Sequence, residues 1–231
     1  MDYRQRMRAI VLRVIAEDTN IEFWQKLKQS AIAIYPDSFE TSANDVRVMP
    51  TRARFRIQDD RHTFMDKAMF DAATASGMLP VDELNRQNRW RYTFIRSGRI
   101  TMTQKRIKDE DAMATPSSFR RLLALPNELA RQMTLGLPGD VNAITPSYLN
   151  GVIVHGPIDP AASSEGFKRL GFIKFAVPDR HFTEWAATLG VDEIIVEMQN
   201  QAKRASRGGK SDRRTPTWKP NEKRDEDKKE P

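Results

Sequence analysis

The sequence predicts an α+β fold, with an N-terminal α-hairpin, a central antiparallel sheet bearing a basic face, and a helix-rich C-terminal half holding two more strands. Three patterns carry that prediction. Apolar residues recur at helical spacing through the first 34 positions, polar and apolar residues alternate strictly between Thr51 and Ile57, and two β-rich runs flank Ser97-Gly98. The chain has 231 residues and no cysteine, which excludes disulfides, thiol nucleophiles and Cys-ligated metals. Residues 1–202 suffice for a single domain with its own core, and 203–231 read as a disordered tail of basic and mixed charge.

Met7, Ile10, Val11, Val14 and Ile15 line one face of a helix over about 3–17. Thr19-Asn20-Ile21-Glu22 has capping-box spacing and opens a second helix, about 20–34, which Pro36 is expected to end. From Thr51 to Ile57 the two-residue period predicts a strand, with Arg52, Arg54 and Arg56 on one side and Ala53, Phe55 and Ile57 on the other. Helix returns over 62–76, with Gly77 as its left-handed stop. A hairpin spans 89–107. With Ser97-Gly98 as its loop, Arg96 faces Arg99 and Phe94 faces Thr101. Beyond it come a helix from Thr115-Pro116 interrupted at Pro126, a short helix at 127–134, and strands at 151–154 and 171–177. Helices at 179–188 and 191–204 complete the body.

Charge is sorted by position. Residues 47–108 hold 14 Lys/Arg against 6 Asp/Glu, whereas 109–202 hold 7 against 12, so the body has a basic subregion within 1–108 and an acidic one over 109–202. A surface built from the basic stretch attracts polyanions. Guanidinium forks match phosphate geometry, and arginines at every second strand residue stand about 6–7 Å apart. The expected function is therefore non-enzymatic binding of nucleic acid, DNA or RNA, through backbone phosphates. The expected contacts are Arg52, Arg54, Arg56, Arg89, Arg91, Arg96, Arg99 and Lys105. Lys203, Arg204, Arg207, Lys210, Arg213 and Arg214 in the tail form an auxiliary arm. Trp90, Tyr92 and Phe94 alternate with arginines and read either as core or as stacking platforms for bases.

Two alternatives accompany this reading. A Mg²⁺-dependent nuclease would use Asp59, Asp60, Glu83 and Lys105, with His62 near them, although Asp59 and Asp60 also suit capping of the following helix. A protein-interaction or regulatory module would set the basic face against an acidic partner, while Phe182, Trp185, Val191, Ile194, Ile195 and Met198 read mostly as core and otherwise as a dimer or partner surface. His62, His155 and His181 are isolated, with no metal-ligand spacing, and the His155–Pro160 loop is a weaker candidate site. No Gly-rich phosphate loop or nucleophile elbow occurs, so no cofactor is expected outside the nuclease alternative. Without a long apolar run or a signal-like start, the expected location is cytosolic, or nuclear in a eukaryote.

Overall fold

The computed structural model describes residues 2–43, 45, 47–84, 91–115, 117–135, 146–161 and 164–208. These form helices α1 (Tyr3–Asp18), α2 (Ile21–Ala43), α3 (Pro50–Ala75), α4 (Ser118–Leu135) and α5 (Val191–Gly208). The strands are β1 (Leu79–Leu84), β2 (Arg91–Ser97), β3 (Ile100–Arg106), β4 (Leu149–Pro157), β5 (Leu170–Pro178) and β6 (Trp185–Gly190), with a 3-10 turn at Glu165–Lys168. The class is α+β. The strands form one sheet in chain order, antiparallel except for β3 and β4, which run parallel and are joined across α4. That pair makes the sheet mixed where an antiparallel one was expected.

The larger core unites α1, α2, α3 and α5 with one face of the sheet, through Trp24, Met65, Met69, Ile95, Ile153, Phe175 and their neighbours. A smaller cluster on the other face joins Val152, Val154 and Ala176 to Ala124 of α4, to Ile107 and Ala114, and to Phe182. Val191 and Ile194 lie in the larger core, with Ile195 and Met198 packed against it, while Trp185 packs beside Phe182. These side chains are thus engaged within the fold, in keeping with the core reading rather than the dimer surface.

The α-hairpin forms, but α2 continues through Pro36 to Ala43. Proline removes the amide that would bond the Ile32 carbonyl and crowds that carbonyl with its ring, and Ile32 lies on the exposed side, where the carbonyl can tilt outward toward solvent. The cap of α2 is Asn20, whose side chain accepts from the Glu22 amide at 3.0 Å, while the Thr19 hydroxyl donates back to the Ile15 carbonyl at 2.7 Å. A capping box does occur, at Asp2 and Gln5 of α1.

Thr51–Ile57 is helix, not strand. Seven residues of alternation are too few to separate a period of 2 from one of 3.6. Pro50 suits a first helical position, and Ile57, Arg61, Met65, Ala68, Met69 and Ala72 continue a buried stripe at helical spacing down α3. Gly77 closes the helix at φ +72° as expected.

The β2–β3 hairpin turns on Gly98-Arg99, one position later than expected, so Ser97 faces Ile100 and Ile95 faces Met102. Two interactions fix this choice. Asp18 at the end of α1 accepts from the Arg99 amide at 2.8 Å and from its guanidinium, and the Ser97 hydroxyl donates to the Asp18 carbonyl. Gly98 has φ +52°, and a Cβ there would lie 2.6 Å from Asp18 Cγ. The residues paired in β2 and β3 still point to their predicted faces, because partners shift by two.

Four further differences concern the remaining elements. β1 is an edge strand that the sequence reading missed, its apolar residues being largely exposed. α4 runs unbroken past Pro126. Residues 179–184 form a turn organised by the Asp179 carboxylate, which accepts from Thr183 and Glu184 amides, and β6 follows where a helix was expected. α5 extends to Gly208, placing Lys203, Arg204 and Arg207 on a helix. Among the described residues, no helix is long and apolar enough to cross a membrane.

Candidate nucleic-acid interface

At about 100° per residue, Arg52 and Arg56 share one side of α3 and Arg54 lies on the other, so the three do not line a single face. All are exposed. Arg52 has no partner among the described residues, Arg54 donates to the Pro160 carbonyl at 3.3 Å, and Arg56 pairs with Asp60 at 3.2 Å. The helical geometry also brings out Phe55, placed by its alternation on the strand side away from the arginines but 66% exposed between them.

Other expected contacts are engaged internally. Arg91 bonds Asp82 at 2.5 Å, and Arg99 is held by Asp18 and Glu17 at 2.7 and 2.6 Å. Arg96 stands over the Tyr148 ring at 5.8 Å. Arg89 and Trp90 lie outside the described residues, as do Lys210, Arg213 and Arg214. On α5, Lys203 and Arg204 are exposed, and Arg204 approaches Glu197 at 3.9 Å. Tyr92 packs on Phe119 of α4 with ring centroids 4.4 Å apart.

The nuclease residues do not assemble. Asp60 turns inward to accept from the Ser42 hydroxyl and also pairs with Arg56, Asp59 is exposed, and Glu83 lies opposite Tyr92 on the edge hairpin. Neither Asp caps a helix start, since both sit inside α3. No group of three or more metal-ligating side chains occurs among the described residues. His181 is exposed in the turn before β6, and Asp159 accepts from the Ala161 amide.

A polar network missed at the sequence level lies where β2 and β3 part, their pairing being confined to 95–97 with 100–102. Asp66 of α3 reaches in. Its Oδ1 accepts from Gln104 Nε2 at 3.1 Å and from the Thr93 amide at 3.4 Å, and Gln104 also donates to His62. With the amide so oriented, Gln104 Oε1 must accept from His155 Nε2 at 3.2 Å, which leaves His155 Nδ1 to accept from the Tyr35 hydroxyl at 2.9 Å. His155 is fully buried, and desolvation, aided by the charge of Arg106, lowers its pKa to about 3, so it stays neutral. Burial raises Asp66 to about 6. Beside them a groove of about 640 Å³ is lined by Thr63, Asp66, Lys67, Phe70, Arg91 and Tyr92.

Two arginines stand out. Arg61, at 0% exposure, is sandwiched 4.3 Å from both the Tyr35 and Phe167 rings, donates from Nε to Ser38 Oγ at 3.0 Å and from Nη2 to the Phe167 carbonyl at 2.6 Å, and leaves Nη1 unpartnered. Among the described residues no carboxylate compensates it, and burial lowers its pKa to about 10. Arg106, at the end of β3, feels the charges of Arg61 and Arg54, has no hydrogen bond among the described residues, and is likewise lowered by burial. Lys105, the next residue up the strand, points to the opposite face toward Arg120, where Thr103 Oγ1 and Arg120 Nε are also unpartnered. The i, i+4 continuation Ile57–Arg61–Met65 was the available sequence signal for the burial of Arg61. Compared with protein-family models, with curated proteins and with solved structures, the chain matches none.

Proposed function

We propose that this protein binds nucleic acid without altering it chemically, gripping backbone phosphates at the first two turns of α3 and stacking a base on Phe55. One segment supports the reading: Arg52 and Arg56 on one side of α3 and Arg54 on the other are exposed and flank an exposed Phe55, on a 26-residue helix whose N-cap, Met49, supplies no side-chain bond. Exposed arginines attract phosphates at any sequence, and an exposed ring among them favours single strands, whose bases are free to stack for about 1–3 kcal/mol each. The positive end of the helix adds to the same field. Lys203 and Arg204 on α5, with the basic residues that follow them, serve as an auxiliary arm.

Equilibrium binding of the full chain to labelled single-stranded DNA, RNA and duplex DNA tests the proposal. Replacing Arg52, Arg54 and Arg56 together by Ala weakens all three complexes alike, and Phe55→Ala weakens the single-strand complexes more than the duplex. Unchanged affinity in the triple variant would remove the patch and favour an acidic protein as the partner.

A further inference from the structure

We propose that the groove between α3 and the β1–β2 hairpin binds a small organic cation, a protonated amine or amidine on an aromatic body, whose N–H groups donate to Asp66 and whose body lies against Phe70. The groove is separate from the first two turns of α3, and the inference does not rest on the function proposed for them.

The groove comes from the way two elements meet. The Thr93 hydroxyl donates to the Asp66 carbonyl at 2.8 Å, so Thr93 turns its side of β2 toward α3. Arg91 shares that side by the two-residue period, and Asp82, the register partner of Thr93, presents the same side of β1. Across from them, Thr63, Asp66, Lys67 and Phe70 recur at three- and four-residue spacing along one side of α3. The space between is about 640 Å³, within the roughly 300–1,000 Å³ of small-molecule sites.

The charges around it leave one carboxylate over. Lys67 pairs with Asp71 at 2.6 Å and Arg91 with Asp82 at 2.5 Å, whereas Asp66 has no Lys or Arg partner among the described residues. Its Oδ1 accepts from neutral donors, Gln104 Nε2 and the Thr93 amide. His62 Nδ1 lies 3.5 Å from Oδ2, but that nitrogen accepts from Gln104, and burial holds the imidazole pKa below its ordinary value, so it supplies no counter-charge. The Asp66 side chain is 16% exposed and lines the groove, so a ligand reaches it. Burial raises this carboxyl to about 6, outweighing the opposing charge of Arg120.

Such a groove favours a cation over an anion. It does not suit a divalent metal, which needs several oxygen ligands, and no group of three or more metal-ligating side chains occurs among the described residues. Phe70, one helical turn from Asp66 and 37% exposed, supplies the aromatic surface, where a flat cationic ligand gains from ring contact and from charge together.

The test measures binding of benzamidinium and phenethylammonium to the full chain, beside their neutral counterparts benzamide and phenethyl alcohol. Calorimetry and melting temperature are read at equal ionic strength and at about pH 8, where Asp66 is ionised. At least one cation is expected to bind in the millimolar range or tighter, about tenfold or more tightly than its neutral counterpart, and to raise the melting temperature. In Asp66→Asn, which keeps an acceptor for Gln104 and Thr93, that preference shrinks to within about twofold. Phe70→Ala, at a partly exposed position, is expected to weaken the cation about threefold or more. Equal binding of cation and neutral counterpart would overturn recognition by charge. Cation binding that survives Asp66→Asn unchanged, or no binding of either cation at millimolar concentration, would overturn the site.

Discussion

Asp66 gives the sharpest stability prediction. Burial raises its carboxyl from the ordinary 3.8 to about 6, so between those values the folded protein holds a proton that the unfolded chain has released. At about 1.4 kcal/mol per pH unit, keeping the carboxyl ionised in the fold above pH 6 costs about 3 kcal/mol, and the cost disappears below about pH 4. Asp66→Asn retains an oxygen to accept from Gln104 Nε2 and the Thr93 amide, and it removes the charge. The variant should therefore be more stable than wild type by about 3 kcal/mol at pH 7, and this advantage should shrink to near zero by pH 4. Urea denaturation of both proteins at pH 4, 5, 6 and 7 measures the difference directly. A stability difference that stays constant across that range would refute the reasoning, because the Asp66 carboxyl would then titrate alike in the folded and unfolded states.

Further outcomes follow from other contacts. His155, lowered to about 3, remains neutral in the fold while the unfolded chain takes up a proton below pH 6.5. Wild type should accordingly lose about 2.7 kcal/mol relative to His155→Leu between pH 6.5 and 4.5, measured by the same denaturation series. Gly151→Ala places a Cβ 1.9 Å from Cζ of Phe175, whose ring packs on Trp24, and should cost about 1–3 kcal/mol, read as a fall in melting temperature. Asp18→Ala removes the acceptor that holds the Gly98-Arg99 turn and should cost about 1–3 kcal/mol at neutral pH. Burial of Asp18 raises its pKa, but the bonds and charge of Arg99 outweigh this and leave it lowered. The wild-type advantage over Asp18→Ala should therefore fade as the pH drops through the carboxylate range.

Patterns spanning many residues were legible in the sequence. The stripe from Met7 to Ile15, the apolar runs that became β4 and β5, and the stop at Gly77 all required agreement across several positions or a conformation only glycine adopts readily. Short patterns misled. Thr51–Ile57 satisfied both periods, and only its continuity with Arg61 and Met65 on a stripe packed against α2 decides for helix. Likewise, Ser97-Gly98 was a plausible loop until the distant Asp18 carboxylate selected Gly98-Arg99. Pro36 and Pro126 looked like ends, yet a helix tolerates one missing amide when packing holds both flanks. Charge counting located the basic stretch but could not sort its arginines. Arg91 and Arg99 have carboxylate partners, Arg52 and Arg54 do not, and Arg61 lies in the interior, distinctions set by contacts remote in sequence.

The central claim is that the first two turns of α3 grip phosphates, and its most direct test is the salt dependence of single-strand binding. Wild type and the Arg52→Ala/Arg54→Ala/Arg56→Ala variant should each give a linear fall of log affinity with log salt. The variant's slope should be shallower by about 2, since each phosphate contact on a single strand contributes about 0.7. Equal slopes and equal affinities in the two proteins would contradict the account.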